Sequence, residues 1–102
     1  MDVTEQFWSL VAPLLEREGV ARGTMMGTAC VRAGGGFVAM PHRGQLIVKL
    51  TEPRVQALIA QEVGAAFAPN GRVFRAWVAV GPDQQGEWRA LVEEGIALAA
   101  AP

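Results

Sequence analysis

Side chains able to carry chemistry are scarce in this 102-residue chain, which has no Tyr and a single Cys and His. Ser and Asn also occur once each, as Ser9 and Asn70, and Asp only as Asp2 and Asp83. The lone cysteine, Cys30, excludes an internal disulfide and points to the cytoplasm. No apolar run approaches the roughly 18 residues of a membrane span. The first residues, Met1-Asp2-Val3-Thr4-Glu5, are acidic and lack the apolar core of a signal peptide. A Ser-His-Asp or Cys-His relay needs these singletons to converge, and Ser9 has no nucleophile-elbow sequence around it. Cys30 and His42 supply two of the four ligands that a closed zinc site wants. Gly34-Gly35-Gly36 lacks the Gly-Lys-Thr/Ser ending of a phosphate loop and no helix follows it, so it reads as a hairpin turn. His42 reads as a solvated loop residue and Cys30 as a small buried hydrophobe. The chain is read as no enzyme, with no catalytic residue, cofactor or metal.

Apolar residues are plentiful, at 51% of the chain. That is enough for the core of one domain spanning residues 1–102. The net charge of −1 is unevenly spread. Residues 1–21 carry Asp2, Glu5, Glu16 and Glu18 against Arg17, and residues 76–102 carry Asp83, Glu87, Glu93 and Glu94 against Arg89. Between them Arg22, Arg32, Arg43, Lys49, Arg54, Arg72 and Arg75 face only Glu52 and Glu62. A basic middle between acidic ends suits a phosphate backbone. The alternative is internal balance, with acidic end helices lying against or beside a basic sheet.

The apolar spacing of Phe7, Leu10, Val11, Leu14 and Leu15 predicts a helix over residues 3–18. Asp2 and Glu5 form a capping-box pattern with Thr4 as a rival cap, Pro13 predicts a kink or split, and Gly19 a stop. Three strands are expected next, Thr24–Arg32, Phe37–Met40 and Gln45–Leu50, separated by Ala33–Gly36 and Pro41–Gly44 turns. In the third, Leu46, Val48 and Leu50 face the core and Gln45, Ile47 and Lys49 face away. Thr51-Glu52-Pro53 opens a second helix with Val55, Leu58 and Ile59 buried and Gly64 as its stop. A short strand Ala66–Ala68, a type I′ turn at Asn70-Gly71 and a last strand Val73–Val80 follow. Gly81-Pro82 breaks that strand. Asp83 caps a final helix with Trp88, Leu91, Val92, Gly95 and Ala99 on one face, and Ala97–Pro102 is expected to fray. Strands joined by tight turns, with helices packed on them, predict an α+β fold with an antiparallel sheet, in the order α-β-β-β-α-β-β-α.

This order and several local motifs resemble the N-terminal domain of the TfoX competence regulators and the related YjbR/MmcQ-like proteins. Met25-Met26-Gly27 stands where that family has Met-Phe-Gly. Gly36-Phe37-Val38-Ala39 looks like its Gly-x-x-Phe-Ala strand, and Leu46-Ile47-Val48-Lys49-Leu50 like its Leu-x-Leu-Lys strand. Asn70-Gly71-Arg72 followed by Trp77-Val78-Ala79-Val80 is similar to its Gly-Arg-x-Met-x-x-(Trp/Tyr) hairpin. Met26 replaces the usual aromatic, and Phe74 stands near the usual Met. Competence regulators of this type carry a second domain that this sequence lacks. The resemblance therefore implies the fold and a regulatory role, and a winged DNA-binding shape has been suggested for the single-domain relatives.

Two functions fit these residues. The first is a non-catalytic regulatory or protein-interaction module with a protein partner or self-association. Trp8, Trp77 and Trp88, with four Met and four Phe, are generous for so small a core and suit an interface, the alternative being that all three Trp help fill the core. The second is a nucleic-acid-binding domain whose contacts are Arg32, Arg43, Lys49, Arg72 and Arg75 at hairpin ends and on strands, with Trp77 stacking on a base.

Overall fold

The structure, a computed structural model, describes residues 2–101. Met1 and Pro102, the ends of the expected leaderless start and fraying tail, lie outside them. The chain begins with α1 (Val3–Val11), capped where the Asp2 carboxylate accepts the Glu5 N–H at 2.9 Å. The helical path then tightens into a 3₁₀ turn over Ala12–Glu16, with Pro13 at its start. The expected split therefore occurs at Pro13, whose missing N–H suits a new first turn. Gly19, at φ +81°, turns the chain into the sheet.

Four strands follow as a meander: β1 (Val20–Met25), β2 (Thr28–Ala33), β3 (Gly36–His42) and β4 (Gln45–Lys49). The single strand expected over Thr24–Arg32 is thus a hairpin. Its turn, Met26-Gly27, has φ of +51° and +75°, and the later turns Gly34-Gly35 and Arg43-Gly44 repeat that pattern of two positive φ values. Such turns follow the right-handed twist of the strands they join. Pro41 and His42 belong to β3, where they pair with Leu46 and Gln45, so only Arg43-Gly44 forms the turn.

Thr51 caps α2 (Glu52–Ala60) by accepting the Arg54 N–H. The helix ends at Ala60, and Glu62, in the left-handed conformation at φ +61°, turns the chain ahead of the expected Gly64. Gly64 is needed for a different reason, because a Cβ there would meet Val78 Cγ2 at 2.5 Å. β5 is short (Ala65–Ala66), and β6 (Trp77–Val80) starts later than expected. Residues 67–76 are an irregular strap. Asn70 is not in the left-handed region and Gly71 is (φ +79°), so the I′ hairpin expected at Asn70-Gly71 is a turn centred on Pro69 and Asn70. A 3₁₀ turn (Pro82–Glu87) leads into α3 (Trp88–Ala100). Asp83 makes no cap hydrogen bond, and the helix continues to Ala100 where fraying was expected.

The six strands form one antiparallel sheet in the order β1-β2-β3-β4-β6-β5, an α+β fold with one strand more than the order read from the sequence. All three helices cover one face. Phe7, Leu14, Val55, Leu58, Trp88 and Val92 pack there on Val31, Val38, Leu46, Val48, Val78 and Val80. Each such side chain, fully buried, contributes about 1.5–3 kcal/mol. Trp88 also donates its indole N–H to the Gly81 carbonyl at 3.2 Å. The opposite face has no helix. The strap crosses part of it, so that Cys30, Met40, Ile47, Phe67 and Ala79 form a second, smaller cluster. Ile47, expected to face away from the core, is fully buried under this strap.

Candidate functional site

The helix-free face holds most of the residues singled out from the sequence. Side chains alternate along a strand, so Arg32 shares the face of Cys30, and Lys49 that of Ile47. Arg32 on β2 is the direct cross-strand partner of Phe37 on β3, and Lys49 on β4 that of Trp77 on β6. Phe37 and Trp77 are half-buried and pack against the second cluster. The four residues lie near one end of the sheet, beside the Gly34-Gly35 turn and within about one residue of a common level. Neighbouring strands are roughly 4.8 Å apart, so this cation-aromatic-cation-aromatic row spans about 15 Å. Phe37 is the member that sequence reasoning did not select. Its alternation with buried Val38 on β3 was the available signal.

The row is partly fixed in place. The Arg32 guanidinium donates to the Gly35 carbonyl at 2.9 Å and lies 4.8 Å from the Phe37 ring centroid. A cation held by a backbone acceptor and an aromatic face loses less side-chain freedom when it meets an anion. The stem of Arg32 rests where Gly23 has no side chain, and a Cβ on Gly23 would collide with Arg32 Cδ. Lys49 is exposed.

The other selected residues lie elsewhere. Arg43 occupies the β3–β4 turn. Arg72 lies in the strap, 5.7 Å from the Phe74 ring. The last strand expected over Val73–Val80 includes Arg75. That residue lies instead in the turn preceding β6, because Trp77 N–H bonds to the Phe74 carbonyl there. Arg75 and Trp77 are therefore close in sequence without forming an alternating pair.

Charge is segregated between the two layers. All ten acidic residues lie on the helices or their flanks, and residues 19–51 and 63–82 contain no Asp or Glu. Among the described residues the ion pairs are all made by acids of α3: Arg17–Glu93 at 3.2 Å, Arg89–Glu93 at 3.4 Å and Arg54–Glu94 at 2.9 Å. Internal balance thus reaches Arg54 among the middle cations. Among the described residues, no ion pair involves Arg32, Arg43, Lys49, Arg72 or Arg75. The remaining middle cation, Arg22, stacks on Trp8 of α1 at 3.8 Å, on the helix side.

The singletons take separate positions. Ser9 is on the exposed side of α1. Cys30 is fully buried in β2, and burial pushes its thiol pKa up, against a smaller lowering by Arg32 and the Gly23 backbone. A raised pKa is the reverse of what activates a cysteine nucleophile. His42 meets the Phe67 ring edge-on at 5.7 Å. No three His, Cys, Asp or Glu side chains cluster as metal ligands among the described residues. Among the described residues, no helix is long and apolar enough to cross a membrane. Compared with known proteins, the chain matches no family model, no curated protein and no solved structure.

Proposed function

We propose that this chain is a non-catalytic regulatory module, of the kind its resemblance to TfoX N-terminal and YjbR-like domains implies, which binds a partner through the helix-free face of its sheet. The observation that carries the reading is charge segregation. Five cations on or beside that face have no acidic partner, while every acidic side chain sits in the helix layer or at its flanks. The matching surface is therefore anionic, and in the first form of the proposal it is an acidic stretch of a protein partner. Self-association fits the same logic, since the acidic helix layer of one copy complements the basic face of another.

A second form is favoured by the direct pairing of Lys49 with half-buried Trp77 and of Arg32 with Phe37. Cations beside aromatic rings on an open sheet suit a single-stranded nucleic acid, with phosphates on the former and bases stacked on the latter. The experiment is an amide-shift titration of the labelled protein with an acidic peptide and, separately, with a single-stranded oligonucleotide. Shifts confined to β2, β3, β4, β6 and the strap support the reading, and the ligand that produces them selects its form. Shifts confined to α1 and α3, or none with either ligand, refute it.

A further inference from the structure

The opposite end of the helix-free face holds a separate feature, a cleft of about 210 Å³ between the β3–β4 turn and the start of the strap. His42, Arg43 and Gln45 line one side, and Phe67, Pro69 and Ala79 the other. His42 and Gln45 are direct cross-strand partners, joined through the two-residue turn that carries Arg43. They lie on the face of Met40 and Ile47, since they alternate with Pro41 and Leu46. Three polar side chains thus stand within four residues of sequence on a paired hairpin. The His42 ring is held against Phe67. No hydrogen bond or ion pair within the described residues occupies any of the three.

The chemistry of this set is that of donors. A guanidinium offers a fork of five N–H groups, a carboxamide two, and an imidazole at least one. No acidic residue occurs in the β3–β4 hairpin, β5, β6 or the strap. Donors on three neighbouring side chains, one of them permanently charged, suit a tetrahedral oxyanion better than a planar carboxylate, which a single arginine fork already satisfies. The volume exceeds what a bare phosphate fills, and the remaining wall, from Pro69 and Ala79, is apolar. We propose that this cleft binds the phosphate group of a small phosphomonoester. The inference shares Arg43 with the five unpaired cations of the function proposed above but does not rest on that function, because it uses neither Arg32, Lys49 nor Trp77.

The test is an amide-shift titration with inorganic phosphate, with a nucleoside 5′-monophosphate and with acetate, all at matched ionic strength. Arg43→Asn serves as the variant because asparagine suits the left-handed turn position while removing the guanidinium. The expected result is saturable shifts at His42, Arg43 and Gln45 with both phosphates and not with acetate. Arg43→Asn is expected to weaken binding about tenfold or more, and Arg89→Ala, on α3 in the helix layer, to leave it unchanged. Tighter binding of the nucleotide than of inorganic phosphate identifies an organic phosphomonoester that uses the apolar wall. Equal binding identifies the phosphate group alone as what is read. No saturable shift at the hairpin, an equal response to acetate, or unchanged binding by Arg43→Asn overturns the proposal.

Discussion

Gly95 offers a sharp test of how α3 is seated on the sheet. In the interior of an exposed helix, Gly→Ala stabilises by about 0.5–1 kcal/mol, because alanine has less backbone freedom to lose. Gly95 is buried, and a Cβ there would lie 3.0 Å from Val38 Cγ1, 3.2 Å from Val48 Cγ2 and 3.3 Å from the Lys49 carbonyl oxygen. Carbon atoms prefer separations of roughly 3.5–4.0 Å, so two valines on central strands and one backbone carbonyl must all give way. Overpacking of this kind costs about 1–3 kcal/mol. Set against the propensity gain, Gly95→Ala is expected to lose about 1–2 kcal/mol, a fall of roughly 5–10 °C in Tm for a domain of this size. Gly86→Ala is the control, since its Cβ meets nothing within 4 Å. It is expected to be neutral or to stabilise by up to about 1 kcal/mol. Urea unfolding followed by tryptophan fluorescence reads both, and Val38→Ala placed behind Gly95→Ala should recover part of the loss through a coupling between the two sites. A Gly95→Ala midpoint at or above that of the parent protein refutes the close approach of α3 to β3 and β4.

Three further outcomes follow from buried or paired groups. The folded state raises the Cys30 thiol pKa, so the native protein holds that proton more tightly than the unfolded chain. The resulting stability is complete below the ordinary thiol range and is lost as pH climbs through the raised value, so Cys30→Ala should flatten the alkaline fall in Tm measured by thermal melts. Trp88→Phe removes the donor to the Gly81 carbonyl and leaves ring volume unfilled, and urea denaturation should show a loss of about 1–2 kcal/mol. Arg54→Ala breaks a two-bond contact with Glu94, but both side chains are about two-fifths exposed. That variant should cost under about 1 kcal/mol in chemical denaturation, and less still at high salt.

Much of the fold was legible because its signals are local. Pro13 marked the break after α1, Thr51 and Pro53 the start of α2, and the stripe of Trp88, Leu91, Val92 and Gly95 the buried side of α3. The missed hairpin at Met26-Gly27 shows the limit. Methionine carries no turn signal, and Met26 adopts φ +51° because strands β1 and β2 pair on either side of it. Asn70-Gly71 erred the other way, since a strong local signal for a hairpin was overridden when Phe67 and Phe74 turned inward to cover Ile47 and Ala79. That burial also shortened the last strand to Trp77–Val80 and moved Arg75 off it. The candidate site was half visible. Its cations were named, but the row they form depends on the register of β2 with β3 and of β4 with β6, which spacing does not reveal. The two acid-free stretches, residues 19–51 and 63–82, were the sequence signal for a one-signed face.

The central claim is that the helix-free face binds an anionic partner through Arg32, Lys49 and Trp77. The most direct measurement is fluorescence anisotropy of a labelled single-stranded oligonucleotide and of a labelled acidic peptide, each titrated with the parent protein and with Lys49→Ala and Trp77→Ala, over a series of salt concentrations. The account predicts saturable binding of at least one ligand, falling as salt rises, with a log-log slope of about −0.7 per phosphate neutralised if the ligand is the oligonucleotide. Lys49→Ala should reduce that slope, and Trp77→Ala should weaken binding with little change in slope. No binding of either ligand at low salt, or binding unchanged in both variants, contradicts it.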